Sequence, residues 1–474
     1  MAQAFLATHG IDLNADMESL QNDNGNRPKE NKPSLTIANV LLPHTTQPSD
    51  LTISSGKITS IKPYDPSSSK TSTLHSPKPA LLAPSLCHPH IHLDKPYLLT
   101  HPRFAASQTL KSGDFEEALR LTSQAKRDFA REDLLERGQR LLDESLAAGV
   151  THARAFVEVD AVVGTKCLEA GLELKREVEG RCAVQICAFA QVPIFTGSEG
   201  DEDGSVARGL MSEAAGREGV EVIGSTPYVE SERERAERNV GWMVQLSIQQ
   251  RKHLDFHLDY NLDGKQEAMV WFVIRTLREK DWMGRNPGKT VVLGHCTRLS
   301  LFSDDDWKML REEIEDLPVS FVGLPTSDLF MMRTPERTRG TLDVPKMIKE
   351  HDINACIGIN NIGNAFTPQG SCDPLSLACS CVGIYSAGLQ ADAELLYECV
   401  STRARKAIGF ARDDGRDAKE DRADATIKEG DDADLLLFGS EQSDWWTRIS
   451  LSEAVYLYDC CKGRRVISNG QVVS

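Results

Sequence analysis

The chain has 474 residues, which suits one large domain with a small second one rather than a single average domain. Its composition is that of an ordinary globular protein, with 40% hydrophobic and 26% charged residues, and its formal net charge is −16. Because a strongly acidic chain repels nucleic-acid phosphates and acidic membrane surfaces, we expect neither as a partner. No apolar run reaches the roughly 18 residues of a membrane-spanning helix.

The N-terminal segment, residues 1–33, is polar and lacks the basic start and apolar core of a secretory signal. We predict that it is a disordered leader. The 12 cysteines are scattered without CxxC spacing, which in a chain of this size favours reduced thiols in a reducing compartment. The expected location is therefore the cytoplasm.

A small β-domain is predicted from both ends of the chain. Short runs rich in β-branched residues predict strands at 34–42, 50–61, 434–438 and 465–473. The Ser/Pro/Thr-rich stretch 66–79 is typical of a loop, and the charged run 413–429 is typical of a solvated surface loop. We expect residues 34–83 and 425–474 to form one β-sandwich beside the main domain.

Residues 84–424 show short apolar runs that alternate with amphipathic helical stretches. Strands are predicted at 151–159, 183–190, 220–224, 254–257, 290–294, 319–324 and 355–359. Helices are predicted at 131–148, 235–249 and 307–315. Repeated strand–helix alternation over this length favours an α/β fold of the (β/α)8 TIM-barrel type. A doubly wound sheet is the rival, but no glycine-rich phosphate turn follows an early strand.

Four histidines follow the predicted strands of this barrel. His90 and His92 are separated by one residue, so on a strand they share a face and could reach one cation. His257 and His295 lie at the ends of two later strands. A barrel brings the carboxyl ends of its strands together, so we expect the four imidazoles to converge. For His90 and His92 taken alone, the alternative is a chance cluster on a surface loop.

Several motifs together resemble one known family. They include Pro-His-Ile-His-Leu-Asp at 89–94, Gly-Val-Thr-His-Ala-Arg at 149–154, Gly-His-Cys-Thr at 294–297 and Gly-Ile-Asn-Asn-Ile at 358–362. From about residue 34 to 473 the chain resembles the cytosine-deaminase-like branch of the amidohydrolase superfamily. The resemblance implies an enzyme that uses one divalent metal ion, zinc or iron, on a small-molecule substrate. Oligomers are frequent in that family, so a homo-oligomer is compatible with it.

The resemblance also implies roles for individual residues. Metal ligation in that branch falls on positions that are here His90, His92, His257 and Asn360. The histidine that assists the attacking water matches His295, and the glutamine that recognises the substrate's ring amide matches Gln191. We further expect Asn361, in the polar loop 360–370, to position the substrate, although a purely structural turn stitched by Asn side chains is an equal alternative.

Two residues depart from the family pattern. Asn360 stands where the family has a ligating aspartate, and its neutral amide is a far weaker base. Tyr260 stands where the family has a proton-shuttling glutamate, and a phenol with a reference pKa near 10 is a poor base. We expect Tyr260 to donate a proton or a hydrogen bond instead. Other acids could replace the lost carboxylates, and the candidates are Asp94, Glu158, Asp259 and Asp328.

The sequence therefore predicts a hydrolase that attacks a non-peptide C–N bond of a small cyclic amide or amidine with metal-activated water. Two alternatives follow from the missing carboxylates. The pocket could serve a non-hydrolytic catalyst such as a cyclase, lyase or isomerase, or a catalytically silent protein that only binds its ligand.

Overall fold

The computed structural model describes residues 34–197, 201, 203–334, 338–410, 424–439, 446–458 and 463–473. The predicted leader lies outside the described residues, as does most of the charged run 413–429. Within the described part of the chain, no helix combines the length and the apolar character needed to cross a bilayer. The ten cysteines described there are all free thiols.

Both ends of the chain contribute to one seven-stranded sheet. Its strands are β1 (Leu35–Leu41), β2 (Ser49–Ser54), β3 (Lys57–Pro63), β4 (Leu74–Pro84), β13 (Leu435–Phe438), β14 (Arg464–Ser468) and β15 (Gln471–Val472), in the order β15-β14-β13-β4-β1-β2-β3. Apolar side chains from both ends pack into one shared core. The small β-domain predicted from both chain ends is confirmed as a sheet separate from the barrel. Its seven strands hydrogen-bond into one continuous sheet.

Three local predictions in this sheet were wrong. The stretch 66–79 was expected to be a loop, but β4 begins at Leu74 and joins the two ends, parallel to β1 and antiparallel to β13. The runs 50–61 and 465–473 were each expected to be one strand, but each is a hairpin. The turns are Ser55-Gly56 and Asn469-Gly470, and all four residues have positive φ. That backbone conformation matches the two-residue turns that reverse a β-strand.

Eight parallel strands form the main domain. They are β5 (Leu86–His92), β6 (Val150–Glu158), β7 (Ala183–Ala190), β8 (Val220–Ser225), β9 (His253–Leu258), β10 (Val291–His295), β11 (Val319–Gly323) and β12 (Ala355–Ile357), hydrogen-bonded in chain order. Two hydrogen bonds join the segment just after the last strand to the first strand, from His92 N to Asn360 O (3.0 Å) and from Asn360 N to His90 O (3.1 Å). The predicted (β/α)8 barrel is confirmed.

Helices connect and cover the barrel strands. They are α1 (Phe115–Arg127), α2 (Arg131–Ala148), α3 (Lys166–Glu177), α4 (Ser205–Gly216), α5 (Arg233–Gln250), α6 (Val270–Glu279), α7 (Trp282–Arg285), α8 (Asp304–Ile314), α9 (Pro325–Met331), α10 (Val344–His351), α11 (Pro374–Ile384), α12 (Gln390–Cys399), α13 (Thr402–Ala407) and α14 (Leu451–Tyr456). Helix α2 ends at Gly149, whose φ of 105° is a left-handed C-cap that glycine adopts without strain. The chain can therefore enter β6 directly.

Candidate metal and substrate site

The four histidines predicted from the sequence meet inside the barrel. His90 and His92 lie on β5, His257 on β9 and His295 at the end of β10. The ring centroid of His90 lies 4.4 Å from that of His257 and 5.7 Å from that of His92, and the His257 and His295 centroids are 5.1 Å apart. All four side chains are buried, so the surface-loop alternative is excluded.

The tightest group within this cluster differs from the expected ligand set. Nitrogen atoms of His90, His257 and His295 lie within 4.8 Å of one another. His92 lies outside that trio, with its ring centroid 5.4 Å from that of His257. His90 and His257 therefore belong to both sets, whereas His92 and His295 compete for the third place.

Several imidazole nitrogens in the cluster lack a partner. Both nitrogens of His90, Nδ1 of His92 and Nε2 of His257 are buried without a hydrogen bond among the described residues. Burial, reinforced by nearby positive groups, holds the pKa of all three imidazoles well below its usual value. Neutral imidazoles are the form that binds metal, and unpartnered buried nitrogens are costly unless something meets them. An all-nitrogen donor set suits zinc or iron better than magnesium or calcium.

His295 has a partner that orients it. Its Nδ1 lies 2.8 Å from Oδ1 of Asp328, which belongs to the first turn of α9. The other carboxylate oxygen accepts hydrogen bonds from Leu324 N (3.2 Å) and Thr341 Oγ1 (2.9 Å). Burial raises the pKa of Asp328, and the contact with His295 opposes that rise. With Asp328 accepting at Nδ1, the lone pair of His295 is left on Nε2.

Amide side chains form a chain of hydrogen bonds next to the histidines. Asn360 Nδ2 donates to Ser327 Oγ (2.7 Å), while Asn360 Oδ1 accepts from Asn361 Nδ2 (3.0 Å). Asn361 Oδ1 in turn accepts from Asn364 Nδ2 (2.8 Å). Asn364 Oδ1 accepts from the backbone of residues 366 and 367, so this residue stitches the loop. Asn364 thus stabilises the loop, whereas Asn360 and Asn361 line the cavity.

A cavity of about 20 Å³, room for roughly one water molecule, lies above the cluster. Every residue predicted for the site lines it except His90, which lies beneath. Sequence reasoning missed five further lining residues, which are Lys95, Phe115, Tyr228, Ser327 and Phe366. Among them only Lys95 carried a signal, because it follows the histidine motif directly; the others come from remote loops and helices.

Three aromatic residues separate this cavity from an outer one. Phe115, Tyr228 and Tyr260 line both the small cavity and a neighbouring cavity of about 600 Å³. The ring centroid of Tyr260 lies 5.8 Å from that of Phe115 and 5.7 Å from that of Tyr228. The small cavity holds about one water molecule, so a ring-sized substrate needs more room than it offers.

Tyr260 also lies against the catalytic candidates. Its ring centroid is 4.0 Å from that of His295. Burial, and then the negative charge of Asp328, raise the pKa of its phenol well above the ordinary value. The hydroxyl therefore stays protonated and can donate a hydrogen bond.

The four acids considered as replacement catalysts have different surroundings. Asp94 Oδ2 accepts from Glu158 N (2.7 Å), and Glu158 pairs with two lysines. Asp259 caps the backbone at Met269 N (2.7 Å) and Val270 N (3.0 Å). Of the four, Asp328 is the one hydrogen-bonded to a histidine of the cluster, as described above.

Comparison with known proteins supports the fold and the resemblance. No protein-family model matches the chain. N-isopropylammelide isopropyl amidohydrolase of Pseudomonas sp. (strain ADP) is 23% identical over 399 residues, covering 83% of this chain and 86% of that protein. The structure of 5-methylcytosine deaminase from Klebsiella pneumoniae with 5-fluorocytosine has a TM-score of 0.75 at 20% identity, covering 93% of this chain and 97% of that one.

A more distant structure contains a metal. An adenosine deaminase from Xanthomonas campestris with bound zinc has a TM-score of 0.59 at 14% identity, covering 92% of this chain and 93% of that one. The relatives and structural neighbours are amidohydrolase-superfamily deaminases and hydrolases, as the motifs predict.

Proposed function

We propose that this chain, whose relatives are amidohydrolase-superfamily deaminases and hydrolases, cleaves a non-peptide C–N bond of a small cyclic amide or amidine with the help of one divalent metal ion. The observation that carries the proposal is the histidine cluster. Four imidazoles from three strands meet at the carboxyl end of a closed barrel, and three of them have buried nitrogens without a partner. Catalytic sites of such barrels lie at this end.

His90, His92 and His257 would hold the ion, with the remaining lone pair of Asn360 Oδ1 as a weak fourth donor. We prefer His92 to His295 as the third ligand because Asp328 already engages His295. Zinc is favoured by the donor set and by the zinc in the adenosine deaminase of the same fold. When bound, the ion supplies Lewis-acid activation of a water molecule and of the bond to be broken.

Proton transfer falls to His295 in place of the missing carboxylates. Its Nε2 accepts the proton of the attacking water and returns it to the departing nitrogen, while Asp328 holds the tautomer and stabilises the imidazolium. Tyr260, protonated and in contact with the His295 ring, donates a hydrogen bond to the oxygen on which negative charge develops. Gln191 and Asn361 orient the substrate between the aromatic rings.

Metal content tests the ligand assignment. We expect about one ion per chain in the wild-type protein, and a loss of most of it in His90→Ala and His92→Ala, measured by elemental mass spectrometry. His295→Ala should keep the ion. His88→Ala is the matched control, since His88 lies on the same strand but its Nε2 contacts Ser145 of α2 (3.0 Å). Metal loss in His295→Ala but not in His92→Ala would reverse the assignment.

Turnover tests the reaction. A panel of amino- and alkylamino-substituted pyrimidines and triazines should give release of ammonia or amine from at least one ring, and chelation of the metal should abolish it. A fully metal-loaded protein that releases nothing from any member of the panel would contradict the proposed hydrolysis.

A further inference from the structure

Lys95 is a buried cation in the wall of the histidine cavity. Its side chain is 2% exposed, and the residue lies in the loop after β5. The ammonium donates to Glu158 Oε1 (2.5 Å) and to Gln191 Oε1 (3.3 Å). An ammonium carries three N–H donors, so one more is available toward the cavity that Lys95 lines.

The contact with Lys95 decides which way Gln191 faces. An ammonium can only donate, so the carbonyl oxygen of Gln191 must point to Lys95. The Nε2 group of Gln191 is then turned away from Lys95, toward Tyr228 and the cavity. Along this wall both Lys95 and Gln191 therefore present hydrogen-bond donors, and a complementary ligand presents acceptors.

The charge of the lining points the same way. Among the described residues that line the cavity there is no carboxylate, because positions 260 and 360 hold a phenol and an amide. Glu158 lies behind Lys95 and is shared with Lys126, which also pairs with Asp160. Asp94 and Asp328 also lie behind the lining, and a divalent ion on the histidines would offset the charge of these two carboxylates. The Lys95 ammonium is then the charged side chain that faces the cavity.

We propose that the substrate carries an anionic oxygen, either an ionised ring oxygen or a carboxylate on the ring, that is held by Lys95 and Gln191. The inference rests on the proposed function and narrows its substrate class. A ring with only neutral N–H groups on that edge would place donors against the third N–H of the buried Lys95 and against the remaining N–H of the half-buried Gln191. A site built around hydrogen bonds rejects such ligands strongly.

Calorimetric titration of the metal-loaded protein tests this preference with three related rings. Barbituric acid provides an ionised ring oxygen at neutral pH, orotic acid provides a ring carboxylate, and uracil provides a similar ring without charge. We expect at least one anionic ring to bind about 10- to 100-fold more tightly than uracil. The tighter of the two anions identifies the source of the charge. Equal affinity for all three would overturn the proposal.

Two lysine variants locate the effect. Lys95→Met should remove most of the preference for the anion while changing uracil binding by less than about threefold. Lys126→Met is the matched control, because Lys126 is also buried and pairs with the same Glu158 but does not line the cavity. It should keep the preference. An equal loss in both variants would overturn the role of Lys95.

If Lys95→Met does not fold, a second variant at the same position tests the proposal. Lys95→Gln keeps a donor of similar reach without the charge, and it should bind the anion less tightly than the wild type does. Failure of this inference and failure of the proposed function give different results. Metal-dependent hydrolysis of neutral rings with no preference for anions would refute this inference alone, whereas anion preference without metal or hydrolysis would refute the proposed function.

Discussion

The two ends of the barrel interior differ in how many of their buried polar atoms have a hydrogen-bond partner. Toward the amino ends of the strands, each guanidinium nitrogen of Arg154 donates a hydrogen bond, to Gln185 Oε1 (3.1 Å), Asp255 Oδ2 (2.8 Å) and Ile408 O (2.9 Å). At the carboxyl ends, the histidines keep nitrogens without a partner. The three guanidinium nitrogens are thus all paired within the chain, and Asp255 Oδ1 is the one atom of this network without a partner among the described residues. The histidine cluster leaves four ring nitrogens without one.

Backbone conformation separates the two ends as well. Asp259, His295 and Asn360 have φ of 47°, 67° and 70°, and each lies at the carboxyl end of a barrel strand. Residues with positive φ before the strands, such as Arg251 and Asp352, are C-caps of helices, where this conformation is routine. At the strand ends it costs energy, and the side chains of His295 and Asn360 line the cavity there, whereas Asp259 caps the backbone at Met269 and Val270.

The largest effect is expected from Asp328→Asn at the carboxyl end. An amide NH₂ facing Nδ1 would favour the tautomer of His295 that has no lone pair at Nε2. We expect kcat to fall by about 10²- to 10⁴-fold. Steady-state kinetics on the substrate found by the panel would measure it, with unchanged metal content as the control. A variant with the full rate would remove Asp328 and His295 from proton transfer.

Arg154→Met should break the hydrogen-bond network at the other end of the barrel interior. Because Asp255 would remain buried without its partner, we expect the free energy of unfolding to fall by about 3–5 kcal/mol, measured by urea denaturation. The folded fraction should keep its metal. Adding Asp255→Leu removes the orphaned carboxyl and should recover part of the loss. A single variant as stable as the wild type would refute the contrast drawn between the two ends.

Gly294→Ala should disturb the cluster by packing alone. A Cβ atom there would lie 3.0 Å from His90 Cε1 and 3.1 Å from its Nδ1, so the ring would have to move by a few tenths of an ångström. We expect metal affinity to fall by about tenfold, which corresponds to the usual cost of overpacking, as measured by competition with a chelator. Unchanged affinity would mean that His90 is not held where the metal binds.

The smallest effect is expected from Gly241→Ala, which serves as the control for the preceding variant. Gly241 lies inside α5, and no atom outside the helix lies within 4 Å of a Cβ placed there. Alanine should therefore stabilise the helix by about 0.5–1 kcal/mol, seen as a slightly higher melting temperature. Metal affinity should not change, and a loss of metal here would show that the chelator assay reports stability rather than the site.

The barrel was predictable because its signals are local. Apolar runs such as 183–190 and the helix at 131–148 carry their periodicity within one element, and the structure reproduces both ranges. Strand β4 was not predicted because its first half is rich in Ser and Pro. Its pairing partners also lie in distant parts of the chain, so no local pattern indicates them. Lys95 follows the histidine motif directly and pairs with Glu158, but nothing in the local sequence indicated that it lines the cavity.

The sequence by itself determined the fold class and indicated the candidate metal ligands and substrate contacts, since residue type and strand periodicity are properties of short segments. Only the tertiary structure decided that Asp328 orients His295, that His92 lies outside the tightest trio, and that Lys95 turns Gln191 into a donor. Those outcomes depend on distances and hydrogen-bond directions between side chains that are far apart in the chain. The closing of the barrel sets them.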